Sequence, residues 1–292
     1  MGLSKTALAR RHKYLGASEV PSVLGVSPEG WPTASDVYYR KTAKFEPEDK
    51  VTEAMLVGIL CEPAVLSYAK SVLGNIKCNQ FRVHKSISWQ SATLDAICVD
   101  LEKTGIEAKT TGNSRLWGEQ GTDQIPNYYL AQVQWQMYIT GFTTMYVPVL
   151  MPDFTLKFKM YKVERDQAVI DSIVARCTEF WEENVLKRVP PKDTLPAPRT
   201  LQLMKRVPQK VTTISSLLVQ DYKDKCLIAK DAVKDKDNAR LKMVESLGDA
   251  EYGKYDGGCL EYVERERKER THTVKAKKYR SLKIKEGEGD DV

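Results

Sequence analysis

The stretch "TLDAICVDLEKTGIEAKTT", Thr93 to Thr111, decides how this chain is read. Short apolar runs on either side of "DLEKTG" predict two antiparallel strands joined by a turn. Side chains two apart on a strand share a face, so Glu107 and Lys109 project together while Ile106 and Ala108 face the other way. If the strands pair as a hairpin, Asp95 reaches the same side. Two carboxylates brought together repel unless a proton, a base or a divalent metal neutralises them. Oxygen ligands of this kind favour magnesium or manganese, and with a lysine amine alongside they suit hydrolysis of a phosphodiester. Alone, E-x-K is more often a surface ion pair in a chain with 45 Lys+Arg and 39 Asp+Glu. The neighbouring segments supply its context.

Upstream, "TEAMLVGILCEPAVLSYAKSVLG" predicts a helix, with Met55, Ile59, Val65, Ala69 and Val72 at roughly helical spacing, Gly74 as its stop and Glu62 in its middle. Downstream, "PNYYLAQVQWQMYITG" predicts a second helix, opened by Pro126 in its first turn and closed by Gly141. Tyr129, Gln132 and Gln136 share one face of it, which by itself reads as an exposed polar face. "TTMYVPVLM" and "TLKFKMYKV" predict strands, and a long amphipathic helix from Asp166 to about Lys187 completes a layered α/β unit. The prolines of "VPPKDTLPAP" predict a boundary, dividing the chain into residues 1–189, a linker at 190–200 and an extension at 201–292. In that extension a helix or helical hairpin is expected to bury Leu217, Leu218, Tyr222, Val233, Leu241 and Val244. A turn at "GKYDGG", one or two basic strands and an acidic tail, "EGEGDDV", follow.

Composition narrows the field. At 292 residues and 42% hydrophobic side chains the chain can bury a full core, and its net charge of +6 leans towards a polyanionic partner. Its six cysteines are scattered without a C-x-x-C pair, which argues against a zinc site or a disulfide scaffold. His12, His84 and His272 lack metal-ligand spacing. No apolar run reads as long enough to span a bilayer and the N-terminus lacks a signal-like apolar core. The expectation is a soluble, cytoplasmic protein with no membrane partner.

In order along the chain, "LGASEV", "GILCEP", "TLDAI" followed by "GIEAKT", and "YYLAQVQWQMYITG" resemble the motifs of the PD-(D/E)XK nuclease superfamily. Within it they resemble the phage exonucleases of the YqaJ and lambda exonuclease type, over roughly Ala9 to Lys187. The resemblance implies an α/β fold with a restriction-endonuclease-like core, a central mixed sheet flanked by helices, and a C-terminal helical and β-strand extension. It implies that Asp95, Glu107 and the Ala108 carbonyl bind metal and that Glu62 supports a second ion or its waters. Lys109 would activate or orient the nucleophilic water, Gln132 would position that water or the lysine, and Tyr129 and Gln136 would support the site. Arg11 and Ser18 would hold the phosphate of a DNA 5′ end; for Ser18 a helix N-cap is the alternative. Leu94 stands where the family has a proline, a position that shapes the turn and donates no ligand.

The activity so implied is Mg2+-dependent hydrolysis of double-stranded DNA from an end, 5′ to 3′, in phage-type recombination, with Mn2+ able to substitute. A homo-oligomer, with a trimer favoured, and a single-strand annealing protein as partner go with it. An endonuclease of the same superfamily and a catalytically silent DNA-binding scaffold are the alternatives. For the basic segment "RERKERTHTVKAKKYR", an added DNA contact and a solvated face stand side by side.

Overall fold

The computed structural model describes residues 12–43, 52–153 and 155–265, so Arg11, most of the basic C-terminal segment and the acidic tail lie outside the described residues. The chain divides into two units, residues 1–206 and 207–292. In the first, β1 (Leu15–Gly16), a 3-10 turn (Ala17–Glu19), α1 (Val20–Leu24), α2 (Ala34–Thr42) and α3 (Glu53–Leu73) precede β2 (Ile76–Val83), β3 (Gln90–Cys98), β4 (Thr104–Ile106) and β5 (Lys109–Thr110). Then come α4 (Asn127–Thr140), β6 (Thr144–Asp153), β7 (Thr155–Glu164), α5 (Gln167–Glu179) with a π-helical continuation over Phe180–Leu186, and α6 (Pro198–Leu203).

The strands form one seven-stranded mixed sheet. The predicted hairpin is present: β3 and β4 run antiparallel, with Ala96 opposite Ile106 and Ile97 opposite Gly105. β4 and β5 both run parallel to β6, and their registers agree, Ile106 with Tyr146 and Lys109 with Val149. "GIEAKTT" is therefore not one strand, as the sequence predicts, but two, broken at Glu107 and Ala108. The Glu107 N–H still donates to the Tyr146 carbonyl at 3.0 Å. In a parallel ladder of this register the next donor, to the Glu107 carbonyl, would be residue 148, and Pro148 has no N–H. The break lies where that bond is missing.

α3 packs against β5, β6 and β7, and α4 against β3 with α1 and α5 beside it. Pro126 stands at the N-cap of α4, one place earlier than predicted, and Gly141 closes the helix at a positive φ of 72°. The helix is buried continuously from Ala131 to Met137, glutamines included, so its polar face is not the solvated one expected of such a pattern. Each glutamine has found a partner: Gln134 donates to the Glu164 carbonyl and accepts from the Asp166 N–H, and Gln132 and Gln136 point at the site described below. Trp135 anchors the helix through its indole N–H to the Ser91 carbonyl at 3.0 Å.

Three other expectations change. The proline-rich stretch is not a free linker: Ser35 bonds Thr194, Thr33 donates to the Leu195 carbonyl, and Asp36 accepts from the Ala197 N–H. The division accordingly falls at Arg206 and Val207. By length and composition α3 is long and apolar enough to cross a membrane, contrary to the sequence reading. Val65 and Ala69 on it are nevertheless buried, Ala69 in a cluster with Ala96, Cys98, Ile106 and Met160. In the second unit a single helix, α7 (Ser216–Leu247), precedes a hairpin of β8 (Tyr252–Tyr255) and β9 (Gly258–Glu261). None of α7 is buried, and of the predicted stripe only Val244 is half-buried while the rest is exposed; a hairpin of two four-residue strands is too small to cover a helix of 32 residues.

A buried ion pair holds the start of the chain. The Lys41 ammonium, its side chain fully enclosed, donates to the Tyr14 carbonyl at 2.7 Å and to both Glu19 oxygens at 2.6–2.7 Å, and Glu19 in turn accepts from the Gly16 N–H. Replacing Lys41 with methionine leaves a carboxylate buried without its cation. The expected cost to the first unit in urea unfolding is about 3–5 kcal/mol, most of it recovered in Lys41→Met/Glu19→Leu. A single mutant no less stable than the double mutant would show that the pair does not hold this segment.

Candidate active site

The break between β4 and β5 frees backbone and side chains at one point of the sheet. Extending the β3–β4 ladder by one residue places Asp95 across from Glu107. The β2–β3 ladder skips the position beside Asp95, where Asn79 adopts a positive φ of 55°. The Asp95 carboxylate, on the less buried face of β3 with Thr93 and Ile97, accepts from the Ala108 N–H at 2.8 Å. The chain at Ala108, having left the ladder, is thereby pinned to Asp95.

Glu107, 4% exposed, is the centre of the site. One carboxylate oxygen accepts from the Lys109 ammonium at 2.6 Å and from the Gln132 amide; the other accepts from the Gln136 amide at 2.7 Å. Gln132 also accepts from Lys109 at 3.3 Å, and Gln136 donates to the Thr93 carbonyl at 2.9 Å while its own Oε1 has no partner. Four residues apart on α4, the two glutamines present one face to one carboxylate. The Lys109 amine lies 4.7 Å from the centre of the Tyr129 ring, which packs against Trp117.

The electrostatics are those of crowded negative charge. Burial holds Asp95 well above the usual carboxylate range, with Glu107 and then Glu62 adding to the shift and Lys109 and the Ala108 N–H opposing it. Half-buried Glu62 on α3 is raised by burial and by Glu107. Burial pulls Lys109 down, but Glu107 and Asp95 more than offset it, so its amine stays protonated through the neutral range. It enters the site as a cation and a hydrogen-bond donor, which favours orienting a water over taking its proton.

The sequence brings Asp95, Glu107, Lys109, Gln132, Gln136 and Tyr129 to one place, and Glu62 within electrostatic range of them. Ser18 is exposed within the 3-10 turn and does not cap α1, a place taken by Glu19. Arg11 lies outside the described residues. Among the described residues no three acidic, histidine or cysteine side chains converge as a ready-made cage, since Glu107 is turned to its three donors. The donors are nonetheless oxygens alone, and the raised proton affinity of Asp95 and Glu62 marks an unneutralised negative potential, so the set fits a hard divalent cation. Tyr128 and Trp31, which extend the aromatic contacts outward from Tyr129, carry no distinct signal in the sequence. Tyr128 was visible only as a second tyrosine in "NYYL", and nothing in "GWPT" marked Trp31.

Residues 8–143 match the family model described as the YqaJ-like viral recombinase domain. The uncharacterised protein YqaJ of Bacillus subtilis (strain 168) is 29% identical over 185 residues, which are 61% of this chain and 56% of that protein. The match thus spans little more than half of the relative's length. Among solved structures, the alkaline exonuclease LHK-Exo from Laribacter hongkongensis is similar with a TM-score of 0.51 and 19% identity, over 64% of this chain and 94% of its own. The same enzyme in complex with dAMP aligns with a TM-score of 0.50 and 18% identity. The first unit has the PD-(D/E)XK fold that the motifs led one to expect.

Asp95 binds a proton more readily in the folded chain than in the unfolded one. Its favourable contribution is complete below the unfolded carboxylate value and is lost as pH rises through the raised folded value. In a chelator, the thermal midpoint of the first unit is expected to fall over that interval, Mg2+ to restore it, and Asp95→Asn to abolish both effects. A midpoint at neutral pH that ignores Mg2+ would take the cation out of this site.

Proposed function

We propose that this chain, matched over residues 8–143 by the YqaJ-like viral recombinase domain, is a divalent-cation-dependent exodeoxyribonuclease acting in phage-type recombination. It hydrolyses phosphodiester bonds of double-stranded DNA from an end, in the 5′ to 3′ direction. The observation that carries this reading is the carboxylate of Glu107, set across from Asp95 at a break in the sheet and gripped by Lys109, Gln132 and Gln136. The shared fold with an alkaline exonuclease supports it, and the direction of digestion rests on the family resemblance.

Asp95, Glu107, the Ala108 carbonyl and Glu62 would hold Mg2+, with Mn2+ as a substitute and room in the donor set for two ions. Such an ion supplies charge neutralisation on the phosphate and acidity to a water. The protein's own part is positional and electrostatic. Lys109, hydrogen-bonded to Glu107, donates to the attacking water or to a phosphate oxygen and stabilises the charge that builds there. Gln132 holds that amine from one side, and the Tyr129 ring covers another. Gln136 keeps the second Glu107 oxygen from rotating away. A ring-like homotrimer around DNA and a single-strand annealing partner belong to the same reading.

Linear DNA labelled at either end, compared with a closed circle in Mg2+ or in chelator, tests it. Release of the 5′ label from linear DNA alone is expected, abolished by the chelator and slowed about 10²- to 10³-fold by Lys109→Ala. Cutting of the circle would point to an endonuclease, and binding without cleavage in any divalent ion to a scaffold. A second check separates Gln132 from Gln136. Gln132→Leu, which frees the lysine, should lower the rate more than Gln136→Leu does for a similar fall in thermal midpoint; equal rate losses in both variants would argue that the glutamines serve folding alone.

A further inference from the structure

Trp31 stands on a tight turn between α1 and α2. Its N–H donates to the Pro28 carbonyl at 3.1 Å, and Gly30 before it has a φ of 80°, the left-handed value that the third place of a type II turn requires. Pro28 opens the turn and Pro32 follows it, so the indole is mounted on a stiff segment although it is 47% exposed. From there a line of rings leads inward. Trp31 lies 5.5 Å from Tyr128, Tyr128 lies 4.4 Å from Tyr129, and Tyr129 lies 4.7 Å from the Lys109 amine. The whole path is within the reach of a few nucleotides at 3.4 Å per step of a strand.

We propose that Trp31 and Tyr128 form a stacking surface for the bases of the DNA end whose phosphodiester lies at Lys109. The inference rests on the nuclease reading and adds to it a contact for the bases. Lys109, the glutamines and the carboxylates all present charge or hydrogen bonds suited to phosphate and cation; none of them offers a base a flat apolar partner. The exposed indole does. Every base has a π-face, so such a surface holds an end of any sequence, as a nuclease that moves along DNA must do. The tilt of 54° between Trp31 and Tyr128 leaves the rings unstacked on one another, so the indole face is not already taken by its neighbour.

The test uses the full-length Lys109→Ala protein, which should bind ends without degrading them, and a duplex carrying 2-aminopurine at its 5′ terminal nucleotide. Quenching of the 2-aminopurine on binding is expected. Adding Trp31→Ala should weaken binding about tenfold and abolish the quench, and Trp31→Phe should recover most of both. Sedimentation of each variant accompanies the titration. Unchanged affinity and quench in Trp31→Ala would overturn this inference alone. Weaker binding together with a changed oligomeric state would also overturn it, by placing the indole between subunits. A parent protein that binds no end in Mg2+ would overturn the nuclease reading, and this inference with it.

Discussion

The carboxylate of Glu107 is the constraint on which the first unit turns. A buried carboxylate without partners costs several kcal/mol, and this one is satisfied by the ammonium of Lys109, two residues on and at the start of β5, and two amides from α4. The amides arrive only if α4 lies at one rotation and one height against β3. Its other polar groups fix that placement: the Trp135 indole on the Ser91 carbonyl, Gln134 between Glu164 and Asp166, and the Arg165 guanidinium on the Met137 carbonyl. A helix buried almost all round, with three glutamines in its middle, is stable here because every glutamine has an assigned partner.

The same region carries tension that folding alone would remove. Asp95, Glu62 and Glu107 raise one another's negative potential, and a single lysine answers them. Apolar substitutes would relieve the repulsion at little cost to packing. A site that retains the crowding, together with a Gln136 oxygen lacking a partner, is arranged for something that binds there rather than for stability. The break at Glu107 and Ala108 serves the same end, since a continuous strand would commit the Ala108 N–H to the ladder instead of to Asp95.

Around this centre the chain is held by unlike means. The Lys41–Glu19 pair fixes the first turn, a Thr33–Asp36 capping box fixes α2, and Asp36 reaches on to the Ala197 N–H, so the proline-rich stretch is bonded to the first unit. Hydrogen bonds from Thr200, Thr33 and Ala197 outweigh burial at Asp36 and keep it ionised below the usual carboxylate range. Among the described residues of the second unit nothing comparable acts: α7 buries none of its apolar side chains and rests on helix propensity and local pairs such as Lys225 with Asp221.

Local pattern was enough to determine the main helices and strands from α3 to α5, the β3–β4 hairpin and the residue types of the site, but not β1, α1 and α2 ahead of them. Periodicity, Pro126, Gly141 and the spacing of Asp95, Glu107 and Lys109 are properties of short segments, and so is the family likeness they carry. What depended on partners far away in the chain was decided only by tertiary structure. Pro148 breaks the strand at Glu107 because β6 lies beside it, the glutamines of α4 are inward because β3 and β4 supply acceptors, and Lys109 stays charged because two carboxylates outweigh its burial. Trp31 shows the difference most plainly. Its turn is local, closed by the Trp31 N–H on the Pro28 carbonyl with Gly30 at a positive φ, but its neighbour Tyr128 is brought to it only by the packing of the folded unit.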